Sequence, residues 1–426
     1  MIKGIGSFTA LSLVASFCNF LFNFALIRLL SVQEFRDLTL ANNMINVFGN
    51  LFVALNIISI AVFYVSKERQ ADIIRACQKI IYVLYILLLA GCVIFSGQLE
   101  RRTGLHDRVV LDLTLAVIFC SIPVMVLNAI YLGTGRFTKS AVLNVSLAFG
   151  RLVLGAIGAA LLTTHKDLAA VGGILLVFVV VFGLFSLFED SERRRKNLEM
   201  FKRIWAAPVH VLGRQRLLLT SSVMYAITIN FLLGMDLFMF GQFFTNQQSA
   251  DYAAVSVIGK LIFFALAPVS IYLAAKQQEL IHKKPRLALK ASLAVDVAIV
   301  VAAGVLWLVP HGFISLLVHR PAGINVGYLD LSILFNAAVV LTNHQIIEGI
   351  VGKRQRLVIV TALGLLIVNG GLFFFFRTIA HGVHGHSTAS LALGIPAVAM
   401  ALASLVLFVS THLQKRASVA TASPGA

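Results

Sequence analysis

Twelve stretches of mainly apolar residues recur along the chain, near 7–30, 39–65, 79–97, 109–133, 140–164 and 168–188, then near 217–241, 252–275, 290–309, 328–350, 356–377 and 388–411. About 20 such residues, wound as a helix, cross the hydrocarbon core of a bilayer. In that medium every backbone N–H and C=O needs a partner within the protein, and a helix supplies one along its own axis. The expectation is an all-α polytopic membrane protein with about 12 transmembrane helices in two six-helix bundles. Charged residues make up only 12% of the 426. A soluble domain carries about 25%, so this chain cannot cover a globule of its size with a solvated surface. That excludes a soluble enzyme, a disordered chain and a disulfide-stapled secreted domain. The first run follows Lys3 and outlasts a signal-peptide core, without a small-residue cleavage site. It reads as an uncleaved first helix.

The formal charge is +17. In a soluble chain that excess would point to nucleic acid; here it tests topology. An even number of helices puts both termini on one side. Of the 35 Lys and Arg, 25 fall in the termini and in the loops after even-numbered helices, and 8 in the opposite loops. Arg151 and Lys260 are left inside apolar runs. The positive-inside bias then places both termini in the cytoplasm. The longest polar stretch, 189–216, divides the chain into an N-terminal six-helix bundle (1–188) and a C-terminal one (217–411), with a cytoplasmic tail at 412–426. Leu198, Phe201 and Trp205 stand among bases in that basic linker. The pattern suits a helix lying on anionic lipid, or a plain linker. No loop reaches 40 residues, so no separate catalytic domain fits. Cys18, Cys77, Cys92 and Cys120 form no CxxC, and Cys77 falls in a basic loop, so neither a disulfide nor a zinc site is expected.

The halves repeat one another weakly. An offset of 214 residues sets Ser31 on Thr245, Gln33 on Gln247, Asp37 on Asp251 and Asn46 on Lys260. In both halves a helix ends in a short polar turn and the next opens near an Asp. Six helices per repeat keep both halves in one membrane orientation, the parallel type of repeat. Such paired bundles bind substrate between them and rock to give alternating access.

Two segments carry a family resemblance: IRLLSVQEFRDLTLA (Ile27 to Ala41) and MDLFMFGQFFTNQQSADYAAVSVIGKL (Met235 to Leu261). The first has Arg-Leu-Leu, a polar turn, an aromatic residue and an aliphatic run. The second has an Asp, a large apolar stretch, a polar turn, then Tyr and small residues. Together with the six-plus-six layout they resemble the bacterial Wzx-type polysaccharide-unit flippases. Those belong to the multidrug/oligosaccharidyl-lipid/polysaccharide exporter superfamily, which also holds the MATE drug exporters. Arg36 or Asp37 stands where glycine is usual in the first turn, and Ser249-Ala250 where valine and glycine are common in the second. The resemblance implies a multi-pass protein of the bacterial inner membrane. Its substrate would be an undecaprenyl-pyrophosphate-linked oligosaccharide unit. Membrane lipids and glycan polymerase or export machinery are the implied partners, with no nucleic acid. A MATE-like ion-coupled exporter of small molecules is the alternative.

An ionisable residue within a span is costly and commonly faces a cavity or a partner. Arg151 and Lys260 are candidates for neutralising a pyrophosphate head. The structural alternatives are a buried acid for Arg151, and snorkelling or pairing with Asp236 for Lys260. Arg28 matches the family's arginine and also suits an interfacial anchor. Asn42, Asn46 and Asn50 (with Asn43) share one face at i, i+4 spacing. Asn56 lies further along, and Asn19 and Asn23 repeat the spacing in the first helix. Such a stripe suits a polar path lined for sugar hydroxyls, or hydrogen bonds between helices. Asp236 and Asp296 are candidates for coupling to H⁺ or Na⁺. Glu348, Asn343, His344 and Gln345 read as a cluster at the cytoplasmic end of the tenth helix. His381, His384 and His386 have no neighbouring carboxylate or cysteine, so no metal is expected there. No cofactor is implied beyond the coupling ion. The chain lacks GxGxxG, Walker A and HExxH motifs, so neither an enzyme nor ATP-driven transport is expected.

Overall fold

In the computed structural model, residues 2–62, 67–103, 107–133, 136–162, 164–187, 215–244, 246–283, 285–309, 326–379 and 386–421, with residues 199 and 213, are described. Nearly all of them are helical. The N-terminal half comprises α1 (Ile2–Leu29), α2 (Val32–Ala61), α3 (Lys67–Ile94), the short α4 (Ser96–Thr103), α5 (Arg108–Gly133), α6 (Phe137–Gly150), α7 (Ala156–Leu161) and α8 (Lys166–Leu187). A π-helical turn, Arg151–Gly155, joins α6 to α7 into one long rod. The C-terminal half comprises α9 (Arg216–Phe243), α10 (Asn246–Lys283), α11 (Pro285–Leu308), α12 (Val326–Val351), α13 (Gln355–Ile379) and α14 (His386–Thr421). Among the described residues eleven helices are long and apolar enough to cross a membrane. The 30-residue α2 stands in the place of the second apolar run. The linker 189–216 with its aromatic residues, and His381 and His384, lie almost wholly outside the described residues.

The described residues fall into two compact units that divide between Arg216 and Leu217. Within each unit the same helices pack. The second helix packs on the third and fourth, the fourth on the sixth, and the fifth on the sixth: α2 on α3 and α5, α5 on α8, α6–α7 on α8, then α10 on α11 and α12, α12 on α14, α13 on α14. The likeness of the halves is therefore stronger in packing than in residues. One pair differs for a reason of size. Small residues (Ala15, Cys18 and Ala148) let α1 and α6 approach closely. The matching pair, α9 and α13, meets through Met235, Met239 and Phe376 with Phe373 packed against them. Between lipid-embedded helices it is van der Waals packing that holds, so small residues set the close crossings. At Gly173 an added Cβ would lie 2.7 Å from the Leu154 carbonyl oxygen, and at Gly259 2.7 Å from that of Ser332. The outer surface is apolar: Leu87, Phe119, Val300 and Ile367 are exposed, as a surface facing acyl chains requires.

The expected boundaries shift in places. α3 begins at Lys67, so Cys77 lies buried in that helix rather than in a loop. At the α1–α2 turn the Ser31 N–H and hydroxyl donate to Glu34 at 2.9 and 2.7 Å, and the Glu34 N–H donates back to Ser31 Oγ at 3.3 Å. This is a capping box, which satisfies amides that a helix start leaves open. Glu34 Oε1 also accepts from the Lys166 N–H at 3.1 Å, the first amide of α8, and Lys166 Nζ donates to the Leu29 carbonyl at 3.1 Å. Partial burial alone would raise the Glu34 carboxyl. The Ser31 and Lys166 hydrogen bonds and the Lys166 charge outweigh it and hold the group below its ordinary value. Glu34 precedes the apolar run that starts near residue 39.

Candidate functional site

In the C-terminal unit, α10 presents Tyr252, Ser256 and Lys260 on one face at i, i+4, i+8 spacing, and all three are buried. Two of them converge on α9. Lys260 Nζ lies 3.4 Å from Asp236 Oδ1, and the Tyr252 hydroxyl donates to Asp236 Oδ2 at 3.0 Å. The Tyr252 ring is stacked on Phe240 with centroids 3.8 Å apart, and Tyr328 meets Phe240 edge-on at 5.2 Å. The structure thus joins two residues that the sequence separates by role. Of the two alternatives open for Lys260, it takes the pair with Asp236. Opposite charges held in a dry site neutralise one another at short range.

A second polar group lies between α11 and α12. Ser292 and Asp296 project from α11 one turn apart. Gln345 Nε2 donates to both oxygens of Asp296, at 3.1 and 2.9 Å. His344 Nε2 lies 3.5 Å from Glu348 Oε1, 4.0 Å from Asp296 Oδ1 and 3.4 Å from the Ser292 hydroxyl. The neighbouring Asn343 accepts from the Tyr225 hydroxyl of α9 at 2.6 Å. The Thr342 hydroxyl lies 3.1 Å from that of Ser404 on α14. The sequence reads Asn343 to Glu348 as an end-of-helix cluster; they do occupy the last turns of α12, and each is buried, because α12 is packed on several sides and 89% of its most apolar stretch is covered. The i, i+4 spacing of His344 and Glu348 is legible in the sequence, but their partners on α11 lie about 50 positions away, which no local pattern reveals.

In the N-terminal unit Arg151 opens the π turn. Such turns insert a residue into a helix and often mark functional positions. Its guanidinium lies over the Phe178 ring of α8, 5.1 Å from the centroid. Its Nε is buried without a hydrogen-bond partner, and no carboxylate pairs with it among the described residues. The acid that the sequence leaves open as an alternative is thus not among them.

The remaining candidates are dispersed. Arg28 is exposed, with its guanidinium 4.5 Å over the Phe24 ring. Asn19 and Asn23 are half-buried, and the Asn23 amide donates to the Asn19 carbonyl at 2.8 Å, within its own helix. Asn42 and Asn43 are half-buried and Asn46 is exposed. The side chains of Asn50 and Asn56 lie outside the described residues. No hydrogen bond among the described residues joins the asparagines of α1 to those of α2. Likewise, no group of three His, Cys, Asp or Glu side chains among them is arranged to hold a metal ion.

No family model matches the sequence, and no curated protein is similar to it in sequence. Solved structures are similar to it in fold. The eukaryotic MATE transporter AtDTX14 superposes with a TM-score of 0.63 at 13% identity over 98% of each chain. The MATE transporter VcmN of Vibrio cholerae, in a mutant form, gives 0.63 at 14% over 96% of each. A MOP superfamily transporter from Pyrococcus furiosus, described as having a binding pocket of reverse polarity, gives 0.58 at 15% over 99% of this chain and 97% of that one. Full-length coverage at such identities makes the likeness one of fold: the chain is folded as a MATE transporter is.

Proposed function

We propose that the protein is an alternating-access carrier. It moves undecaprenyl-pyrophosphate-linked oligosaccharide units across a bacterial inner membrane for surface or exopolysaccharide synthesis. The observation that carries this reading is Arg151, a guanidinium inside a span with no acid beside it among the described residues. A lone charge in that setting is costly and is retained where it serves a ligand. A pyrophosphate supplies the matching charge, and planar guanidinium suits phosphate oxygens. The half-buried Asn19, Asn23, Asn42 and Asn43, with exposed Asn46, are the residue types that hydrogen-bond sugar hydroxyls. The Pyrococcus furiosus transporter, with its pocket of reverse polarity, supports the view that this fold accepts more than one kind of charge. The positive-inside bias puts both termini in the cytoplasm, and glycan polymerase and export machinery are the expected partners.

A second reading, a MATE-like ion-coupled exporter of small molecules, is favoured by the buried carboxylates Asp236 and Glu348. Complementation separates the two. The gene is expressed in a bacterium lacking its own glycan-unit flippase, and surface polysaccharide is scored beside sensitivity to cationic drugs. Restored polysaccharide that Arg151→Ala abolishes at unchanged protein level supports the flippase. Drug resistance without restored polysaccharide supports the exporter.

A further inference from the structure

We propose that the turn between α12 and α13 binds an anionic phospholipid of the surrounding membrane, with its phosphate held by Lys353, Arg354 and Arg356 and an acyl chain laid along the exposed face of α13. The turn is tight: α12 ends at Val351 and α13 begins at Gln355. The Arg354 N–H donates to the Gly349 carbonyl at 2.8 Å and the Lys353 N–H to that of Ile350 at 3.2 Å. Three cations thus stand within the four residues from 353 to 356. None of them has an acid or an aromatic ring as partner among the described residues. Lys353 and Arg356 are exposed and Arg354 is half-buried, and that burial holds the Arg354 guanidinium below its ordinary value. Crowded like charges repel, and partial burial adds to the cost. An anion set among them relieves both. In the matching turn of the N-terminal unit, between its fourth and fifth helices, Lys139 Nζ lies 5.8 Å from the centre of the Tyr131 ring, so there a charge has its partner inside the protein.

What lies beneath the cations makes the ligand a lipid rather than a free anion. Gln355 opens a stretch long and apolar enough to cross a membrane. The cations therefore stand at the level of the headgroups, where anionic lipid attracts Lys and Arg. Arg356, Val360, Ile367 and Phe374 fall in one row along α13 at helical spacing, and all four are exposed. Val368 and Phe375, exposed as well, form a second row beside it. Gly364 and Gly371 lie between the rows, two turns apart, and a Cβ added at either would meet nothing within 4 Å. The result is a shallow apolar furrow with a cation at its head. A glycerophospholipid has the same order of chemistry, a phosphate above and an acyl chain below. Basic loops are general on one side of a membrane protein; the furrow under three unpaired cations singles out this one. The site stands independently of which substrate is carried.

Native mass spectrometry of the full-length protein, freed of lipid in detergent and titrated with phosphatidylglycerol or phosphatidylcholine, tests it. Phosphatidylglycerol should bind the more tightly. Lys353 has a φ of 62°, which glycine adopts freely, so Lys353→Gly removes one charge and keeps the fold. Binding of phosphatidylglycerol should weaken about fivefold for each cation removed, in Lys353→Gly and again in Lys353→Gly/Arg356→Gln. Gly371→Leu fills the furrow, keeps every charge, and should weaken binding about threefold or more. Lys79→Gln, which removes a charge from α3 in the other unit, should change nothing. Thermal unfolding without lipid checks each variant. Equal binding of the two lipids, binding unchanged in Lys353→Gly/Arg356→Gln, or an equal loss in Lys79→Gln overturns the proposal. Soluble glycerol phosphate bound as tightly as the lipid would assign the cations to a free anion, and a dimer that Gly371→Leu breaks would assign the furrow to a second copy; either overturns it.

Discussion

Lys260 lies 3.4 Å from Asp236, and the Asp236 side chain is wholly buried. Breaking such a pair strands one charge, whereas removing both charges need not destabilise. Lys260→Met should cost about 3–5 kcal/mol. The double variant Asp236→Asn/Lys260→Met should recover most of that loss. Thermal or denaturant unfolding of the four members of the cycle measures the coupling; equal losses in the single and double variants would sink the pairing as the cause. Tyr252→Phe removes one hydrogen bond to a charged group and should cost about 1.5–3 kcal/mol.

Arg151 separates stability from activity. A half-buried cation with no acid beside it among the described residues contributes little to folding beyond its contact with the Phe178 ring, and an apolar side chain of similar length keeps that contact. Arg151→Met should unfold at the same temperature as the wild type or higher, while failing to restore polysaccharide in the complementation assay. A variant that loses stability in step with activity would make the guanidinium a structural group.

At Gly259 a Cβ would press on the Ser332 backbone, 2.7 Å from its carbonyl oxygen. Backbone cannot turn aside as a side chain can, so α10 and α12 must separate. Gly259→Ala should cost about 1–3 kcal/mol, read as a lowered unfolding midpoint. Gly364→Ala, at a site open to solvent or lipid, is the control and should change little.

Glu34 predicts a pH dependence of known sign. Its folded carboxyl titrates below its ordinary value. It therefore contributes stability above the unfolded value, and that contribution is lost as pH falls through the folded one. Glu34→Gln should lower the unfolding midpoint at neutral pH by an amount corresponding to about 0.5–2 kcal/mol. The gap between wild type and variant should close in acid. A gap that is constant with pH would assign the effect to packing instead.

The helices were legible because each span writes its own signature, an apolar stretch of fixed length. The pairing of charges across helices was less so. Asp236 and Lys260 could be named as possible partners, because both stand alone in apolar runs. Tyr252 could not, since a tyrosine after a turn looks like an ordinary interfacial residue. That His344 and Glu348 stand near a helix end was legible, whereas their burial was not, because periodicity does not say how many neighbours cover a helix. The cover over α12 comes from α10, α11 and α14, and only the assembled unit shows it. The π turn left no trace, since one extra residue in a uniformly apolar run changes no pattern.

Three helix ends meet at Glu34 and Lys166. α1 finishes there under the Lys166 ammonium, while α2 and α8 both start on the Glu34 carboxylate. A group of rods tied at one rim keeps its slack at the other. Splaying of the N-terminal unit should therefore pivot about this knot, with the far ends of α1, α2 and α8 sweeping the widest arc. Removing the Glu34 carboxylate unties the starts of α2 and α8 from one another, while the Lys166 ammonium still holds the end of α1 to α8.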